Sequence, residues 1–291
     1  MKTISAFIKS LRLRQWTKNL IIFAGILFSQ NIFNGAMLAV VTIAFVIFCI
    51  VSGSVYVIND ICDAGKDRRH PEKSKRPIAS GLLDTGLAGI AATVLLVLSL
   101  VVAMTHGTSF YLIVLGYILL QAAYSLILKN VVIIDVFALA LGYVLRVVAG
   151  ALVIQVEMSS WLIVCTILLS LFLGLSKRRY ELTILDKAAE NHRDVLGHYS
   201  AYLLDQMISV ITASTLVSYA LYTVSRETVD KFGTRNLIYT VPFVLYGIFR
   251  YLYLIHKKGE GGSPENILVS DIPLLTDIVV WVISVGIILY A

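Results

Sequence analysis

Long apolar stretches recur along almost the whole of this 291-residue chain, and they restrict its fold more than any other feature. A stretch of about 20 apolar residues crosses a bilayer as an α-helix, because lipid offers no hydrogen-bond partners to the backbone. With 58% hydrophobic and only 14% charged residues, the chain is not a water-soluble domain. We predict an all-α, polytopic transmembrane bundle of about nine helices that forms one integral membrane domain, residues 1–291. The predicted spans are residues 20–38, 39–58, 86–104, 109–127, 133–154, 159–176, 207–224, 237–255 and 273–290.

Lysine and arginine are distributed unevenly between the two sides of the predicted bundle. Of the 24 such residues, 20 fall on one side, only Arg226, Lys231 and Arg235 fall on the other, and Arg146 lies within a span. The positive-inside rule makes the richer side cytoplasmic. The N-terminus and two long charged segments, residues 59–85 and 177–206, are therefore predicted to lie in the cytoplasm, where the two segments cap one cavity. Topology and contacts with membrane lipids account for the net charge of +6, and no nucleic-acid partner is implied.

The first cytoplasmic segment contains regularly spaced acidic residues. Asp60, Asp63 and Asp67 follow the i, i+3, i+7 spacing and Asn59 precedes them, so a helix that continues from the second span would place them on one face. Clustered carboxylates repel one another unless a cation intervenes, and Mg²⁺ favours oxygen ligands that it shares with phosphate groups. A solvated loop accounts for the neighbouring basic residues but not for this register. We predict a Mg²⁺ site at Asp60, Asp63 and Asp67 that handles a diphosphate.

The second cytoplasmic segment opens with basic residues at the end of the sixth span. Lys177 and Glu181 are one helical turn apart and Arg178 lies between them, where they face the same compartment as the acidic cluster. This placement favours a functional role. For the following residues, 186–193, an ion-paired surface helix and a substrate role are equally supported.

Three further basic residues lie within or beside the spans. Arg146 lies in the middle of the fifth span, where a charge must be paired or face a polar cavity, so a structural and a functional role are equally open. Arg14 and Lys18 lie just before the first span. Taken alone, their position beside Trp16 favours membrane anchoring over a role in a site.

The motif NDxxDxxxD, formed by Asn59, Asp60, Asp63 and Asp67, resembles the UbiA superfamily of intramembrane prenyltransferases. The resemblance covers nearly the whole chain. Further segments are similar to the decaprenyl-phosphate phosphoribosyltransferase branch: RQWTKN at 14–19, DRRHPEKSKRPIASG at 67–81, LRVVAG at 145–150, SKRRYEL at 176–182 and HRDVLGHYS at 192–200.

The resemblance implies phosphoribosyl transfer from phosphoribosyl pyrophosphate to a polyprenyl phosphate, at the cytoplasmic face of a bacterial cell membrane and early in the synthesis of a cell-wall arabinan precursor. It implies Mg²⁺ as cofactor and leaves a homo-oligomer open. Arg68, Lys73 and Arg76 are implied in pyrophosphate binding, Lys177 and Arg178 in binding the ribose 5-phosphate, and Arg14 and Lys18 in binding the lipid phosphate, while His70 is assigned to either phosphate group. The expected substrate-binding set also contains Asn59, Arg146, Glu181, Arg193 and Tyr199.

Two other functions remain open from the sequence. An aromatic prenyltransferase that uses a polyprenyl diphosphate would share the first motif, but such enzymes carry a second Asp-rich motif where this chain has Lys177, Arg178 and Glu181; Asp186, Glu190 and Asp194 could imitate that motif. A membrane transporter would require broken helices and several polar groups at mid-membrane, where only Arg146 is charged. Phosphoribosyl transfer is favoured because a donor with an additional phosphate requires additional cationic partners.

Overall fold

The computed structural model describes residues 2–68, 73–185, 194–257, 267 and 270–290, and helix is the only regular secondary structure in these ranges. Eight helices in the described ranges are long and apolar enough to cross a membrane, which confirms a multi-pass, all-α membrane protein. In chain order the helices are α1 (Lys2–Ser10), α2 (Ala24–Phe28), α3 (Gly35–Cys62), α4 (Ala64–Asp67), α5 (Thr85–Thr105), α6 (Thr108–Leu126), α7 (Ile134–Val153), α8 (Ser160–Leu185), α9 (Ala201–Val224), α10 (Arg226–Phe232), α11 (Val241–Lys257) and α12 (Ile272–Tyr290). The eight candidate spans are α3, α5 to α9, α11 together with its preceding 3₁₀ turn, and α12.

The first predicted span, residues 20–38, is not one continuous helix. A 3₁₀ helix, Leu13–Phe23, leads into the short α2, which ends at Phe28, and α3 begins only at Gly35. Polar residues cause this interruption: the stretch from Ser29 to Asn34 contains four of them, and the Asn34 side chain accepts a hydrogen bond from the backbone of Met37 to cap α3. The predicted second span, residues 39–58, is correspondingly longer at both ends.

The chain separates into two compact units, and the first comprises Met1–Leu126 and Leu145–Glu157. Within it, α3 packs against α5 and against the 3₁₀ helix. Ile22 of the 3₁₀ helix, Phe48 of α3 and Tyr117 of α6 belong to one buried core. At Gly150 the α7 backbone lies so close to the carbonyl of Ile22 that a Cβ atom would overlap it, which fixes the 3₁₀ helix against α7.

The second unit comprises Ile127–Val144 and Met158–Ala291. Here α8 packs along α9, and α11 pairs with α12. Gly174 of α8 faces Val136 of α7, where a Cβ atom would lie only 2.7 Å from Cγ1 of the valine. This close approach brings the start of α7 beside the C-terminal half of α8, where Asp135 and Arg178 meet. The prediction of one domain over residues 1–291 stays a prediction.

Candidate active site

Asp60 at the end of α3 and Asp67 of α4 form ion pairs with two arginines. Asp60 and Asp67 are 3% and 4% exposed. Nη1 of Arg76 donates to Oδ1 of Asp60 at 3.0 Å and to Oδ2 of Asp67 at 2.6 Å. Nη2 of Arg12 donates to the same Oδ1 atom of Asp60. We call Arg12, Asp60, Asp67 and Arg76 the first ion cluster.

The helical course of the chain brings the two carboxylates of this cluster to one side. Helix α3 ends at Cys62, Asp63 caps it at φ −92° and ψ 1°, and α4 follows directly. The N–H of Asp63 donates to the carbonyl of Asn59, and that of Asp67 donates to the carbonyl of Asp63, both at 2.9 Å. The backbone therefore keeps nearly helical spacing, so Asp60 and Asp67 lie two turns apart on the same side. The predicted single helix is interrupted at Asp63, which is half-buried.

Arg76 is positioned by a turn whose apolar residues are buried. Ile78 and Leu83 are each 1% exposed and pack with Ala88 and Ala92 of α5. The N–H of Leu83 donates to the carbonyl of Pro77, which closes the turn. The Arg76 side chain is itself 28% exposed. The backbone of this turn is therefore anchored, while the Arg76 side chain remains partly exposed.

Arg12 reaches Asp60 from an unusual backbone conformation. Its φ and ψ of 53° and 58° place it in the left-handed region, just before the 3₁₀ helix begins. A non-glycine residue in this region is uncommon and often marks a site where function or packing requires it. The guanidinium carbon lies 4.8 Å from the centroid of the Tyr56 ring, a cation–π contact. Arg12 is therefore held both by Asp60 and by Tyr56.

The first ion cluster has the donor chemistry that a hard divalent cation requires. Oδ1 of Asp60 and Oδ2 of Asp67 already converge on one cationic atom, Nη1 of Arg76. Carboxylate oxygens are the protein ligands that Mg²⁺ favours. Among the described residues, no group of three or more His, Cys, Asp or Glu side chains is arranged to hold a metal ion. Two of the three predicted carboxylates, Asp60 and Asp67, thus fit a shared cation, whereas the structure does not bring Asp63 into the same group.

The second unit contains another buried network of charges. Nε of Arg178 donates to Oδ2 of Asp135 at 2.6 Å, and its Nη1 donates to Oε2 of Glu181 at 2.6 Å. The hydroxyl of Tyr199 donates to Oδ1 of Asp135 at 2.9 Å. Asp135 is 0% and Arg178 1% exposed. We call Asp135, Arg178, Glu181 and Tyr199 the second ion cluster.

Tyr199 also fixes the backbone at the start of α7. Its hydroxyl oxygen accepts a hydrogen bond of 2.7 Å from the N–H of Ile133, whose φ of 70° is rare for a β-branched residue. Burial, together with the neighbouring Asp135 carboxylate, raises the pKa of Tyr199 to about 12 against the opposing effect of the Ile133 N–H. The phenol therefore stays protonated near neutral pH and remains a donor to Asp135.

Arg146 lies within the first unit and is 5% exposed. Its Nε donates to Oδ1 of Asn19 at 2.6 Å, and its Nη2 donates to the hydroxyl of Tyr117 at 2.7 Å. Nδ2 of Asn19 in turn donates to Oγ of Ser52 at 3.3 Å. These bonds connect α7 to the 3₁₀ helix and to α3 and α6. The contacts support the structural role that the sequence left open for Arg146, and its role in substrate binding stays a prediction.

The structure places most of the remaining predicted site residues but does not test the roles expected of them. Arg14 and Arg68 are exposed, whereas Lys18, Asn59, Lys73 and Lys177 are half-buried. His70 and Arg193 lie outside the described residues, and so do Asp186 and Glu190 of the second acidic series. The sequence did not single out Arg12, Tyr56 or Tyr117. Arg12 could have been suspected weakly, because it is the first basic residue of LRLRQW. Tyr56 and Tyr117 could not, because an aromatic residue in an apolar span does not by itself indicate a site.

The family to which this chain belongs follows from comparison with known proteins. Residues 19–265 match the UbiA prenyltransferase family, so the chain is a member of that family. A structure of a UbiA homologue from Archaeoglobus fulgidus, bound to GPP and Mg²⁺, has a TM-score of 0.74 and covers 98% of this chain and 100% of its own. At 20% identity this likeness shows the fold alone.

Two curated relatives match over nearly the full length. The decaprenyl-phosphate phosphoribosyltransferase of Corynebacterium glutamicum is 32% identical over 289 residues, which cover 97% of this chain and 86% of the relative. The enzyme of the same name from Mycolicibacterium smegmatis is 30% identical over 300 residues, which cover 99% and 93%. The chain is therefore a membrane-embedded enzyme of the UbiA family that is similar to these phosphoribosyltransferases.

Proposed function

We propose that this protein transfers phosphoribose from phosphoribosyl pyrophosphate to a polyprenyl phosphate, giving polyprenylphosphoryl-5-phosphoribose and pyrophosphate. The observation that carries the proposal is the near full-length similarity to two enzymes named decaprenyl-phosphate phosphoribosyltransferase. The proposal includes a site at the cytoplasmic face of a bacterial cell membrane, which the charge asymmetry supports. It also includes a product that serves cell-wall arabinan synthesis, which only the resemblance supports.

The reaction is a displacement at the anomeric carbon of ribose. An oxygen of the acceptor phosphate forms a bond to C1, while the bond from C1 to the pyrophosphate oxygen breaks and its electron pair leaves with the pyrophosphate. The acceptor is already an anion, so no side chain has to remove a proton from it. What the protein must supply is positive charge for the phosphate groups and a fixed geometry for the two reactants.

The first ion cluster and its neighbours are assigned to the pyrophosphate. Asp60 and Asp67 would hold Mg²⁺, with Asp63 as the expected third carboxylate, and the bound ion supplies Lewis-acid neutralisation of the leaving group. Arg68, Lys73 and Arg76 contribute further positive charge along the same segment. Arg68 is exposed and Arg76 partly so, which allows both side chains to meet a soluble donor.

Lys177 is assigned to the ribose 5-phosphate and Arg178 to the position of the helix that carries it. Both residues were expected to contact the phosphate. Because Arg178 is 1% exposed and bonded to Asp135 and Glu181, its contacts support a positioning role. Lys177 is half-buried at the adjacent position of α8 and is the remaining candidate for direct contact.

Donor choice tests the proposal directly. Purified protein with Mg²⁺ is given either phosphoribosyl pyrophosphate and polyprenyl phosphate, or polyprenyl diphosphate and 4-hydroxybenzoate. We expect an acid-labile phosphoribosylated lipid from the first mixture only. A prenylated aromatic from the second mixture, with nothing from the first, would refute phosphoribosyl transfer and leave the family assignment standing.

Aromatic prenyl transfer is the second candidate function. The match of residues 19–265 to the UbiA prenyltransferase family supports it. The basic residues at the end of α8 argue against it, because a prenyl diphosphate donor carries no additional phosphate that would require them. The two mixtures above separate the candidates without any mutation.

A further inference from the structure

One nitrogen atom of Arg76 lies between the two buried carboxylates of the first ion cluster. It is 3.0 Å from Oδ1 of Asp60 and 2.6 Å from Oδ2 of Asp67. A metal ion held by these same two oxygens would compete with this nitrogen for them. Two cations beside the same pair of oxygens repel each other.

The two arginines of the cluster are not equivalent. Arg12 contacts only Asp60 of the pair, and it is also held over the Tyr56 ring. Both arginine side chains are 28% exposed, but Arg76 contacts both carboxylates and extends from a turn anchored by Ile78 and Leu83. The Arg76 side chain can therefore leave the carboxylates by rotation about its own bonds, while the backbone of the turn stays in place.

We propose that Arg76 is an exchangeable counter-ion: its guanidinium group neutralises Asp60 and Asp67 when no metal is bound, and it is displaced towards the pyrophosphate when the metal enters. This inference rests on the proposed function for the identity of the phosphate ligand. The exchange keeps two buried carboxylates compensated at every stage, since unpaired buried charges are strongly unfavourable. It also makes an arginine available at the moment when a pyrophosphate requires a bidentate partner.

The exchange predicts an effect on metal affinity in the absence of any substrate. Mn²⁺ is titrated into purified wild-type protein and into Arg76→Gln, and free Mn²⁺ is measured by electron paramagnetic resonance. Removal of the competing guanidinium should tighten Mn²⁺ binding about tenfold, because the wild-type site is accessible only in the fraction of molecules from which Arg76 has left. Arg76→Lys, which retains the charge on a single nitrogen, should fall between the two. Arg226→Gln is the matched control, since Arg226 is 94% exposed and lies in the second unit.

The response of Mn²⁺ binding to inorganic pyrophosphate gives a second readout, in which the larger effect is expected in the wild type. In the wild type, pyrophosphate should tighten Mn²⁺ binding more than it does in Arg76→Gln, because only the wild type gains the contact between the displaced arginine and the phosphate. Thermal unfolding of each variant is recorded alongside; if Arg76→Gln does not fold, Arg76→Lys decides by the same comparison.

The outcomes separate the exchange from the function on which it rests. Mn²⁺ affinity in Arg76→Gln that equals or falls below the wild-type value would overturn the exchange and leave the metal site intact. If Asp60→Asn and Asp67→Asn together left Mn²⁺ binding at the wild-type level, the metal site itself would be refuted. Tighter binding in Arg76→Gln, together with a smaller response to pyrophosphate, supports the exchange whichever donor the enzyme uses.

Discussion

Both ion clusters place one arginine between two carboxylates, but they differ in which ion is buried. In the first cluster, Asp60 and Asp67 are 3% and 5% exposed at their side chains and Arg76 is 28% exposed. In the second, Arg178 is 1% exposed, whereas Glu181 is 23% exposed. Arg76 extends from a turn, while Arg178 belongs to the long helix α8.

This difference separates an arginine that can leave from one that cannot. Displacement of Arg178 would leave Asp135, which is 0% exposed, without its cationic partner. Displacement of Arg76 requires only rotation of a partly exposed side chain. The same three charges can therefore serve as a fixed structural link or as a replaceable counter-ion, depending on which member is accessible to solvent.

The largest effect should come from breaking the second ion cluster. Arg178→Gln leaves the Asp135 carboxylate buried without its charged partner, so we expect a loss of about 3–5 kcal/mol in the free energy of unfolding. Thermal or denaturant unfolding in detergent measures it. Asp135→Asn in the same chain should restore part of the loss, because the unpaired charge is then removed.

Arg179 provides a matched control for this loss on the neighbouring position of α8. It is 18% exposed and pairs with Asp205, which is 36% exposed. Arg179→Gln should cost no more than about 1 kcal/mol, the usual value of a partly exposed pair. Equal effects of Arg178→Gln and Arg179→Gln would contradict the structural role of the second ion cluster.

Removal of a carboxylate from the first ion cluster should affect turnover rather than folding. Asp67→Asn keeps the shape of the side chain but removes a metal ligand, so kcat should fall roughly 100-fold or more. Asp63→Asn should also lower turnover if Asp63 completes the metal site. Asp230→Asn, at a position 68% exposed in α10, is the silent control. Wild-type rates in Asp67→Asn at low Mg²⁺ would exclude this carboxylate from the metal site.

The fold was largely predictable because its main determinant is local. Each span needs only a continuous apolar stretch of sufficient length, and eight stretches of this kind are helical in the described residues. The exception, residues 20–38, mixes apolar residues with the polar stretch from Ser29 to Asn34. A hydropathy average over the window does not detect such a stretch. The helix is nevertheless interrupted there, because the Asn34 side chain caps a new helix.

The site was predictable only where its residues are close in sequence. Asp60 and Asp67 could be placed on one side from their spacing. The partnership of Asp60 with Arg12 was not predictable, because Arg12 lies 48 residues from Asp60. Arg178 and Asp135 are 43 residues apart, so the sequence indicated a charged helix end but not the carboxylate that partners it. Contacts of this range depend on tertiary packing.

Lys177 and Arg178 should respond differently although they are adjacent. If Lys177 contacts the ribose 5-phosphate, Lys177→Ala should lose about 2 kcal/mol of binding, a rise of roughly 30-fold in KM for phosphoribosyl pyrophosphate, with a smaller loss of stability than Arg178→Gln. Steady-state kinetics and thermal unfolding of the same preparation measure both quantities. Lys231→Ala, at an exposed position of α10, is the control. An unchanged KM in Lys177→Ala would remove this lysine from the donor site.

The smallest expected effect concerns the hydroxyl of Tyr199. Tyr199→Phe removes the donor to Asp135 and the acceptor for the Ile133 N–H, so it should cost about 1–2 kcal/mol in the free energy of unfolding, less than Arg178→Gln.

The pKa of Tyr199, raised to about 12 from an ordinary 10.0, makes this contribution to stability depend on pH. The folded state holds this proton more tightly than the unfolded state, so the contribution is complete below about pH 10 and is lost as the pH rises towards 12. We expect the wild type to lose stability over that interval more steeply than Tyr199→Phe, as measured by denaturant unfolding at fixed pH values. Parallel pH curves for the two proteins would show that the Tyr199 hydroxyl is not held as the second ion cluster requires, and Arg178 and Glu181 would then have to account for the burial of Asp135 alone.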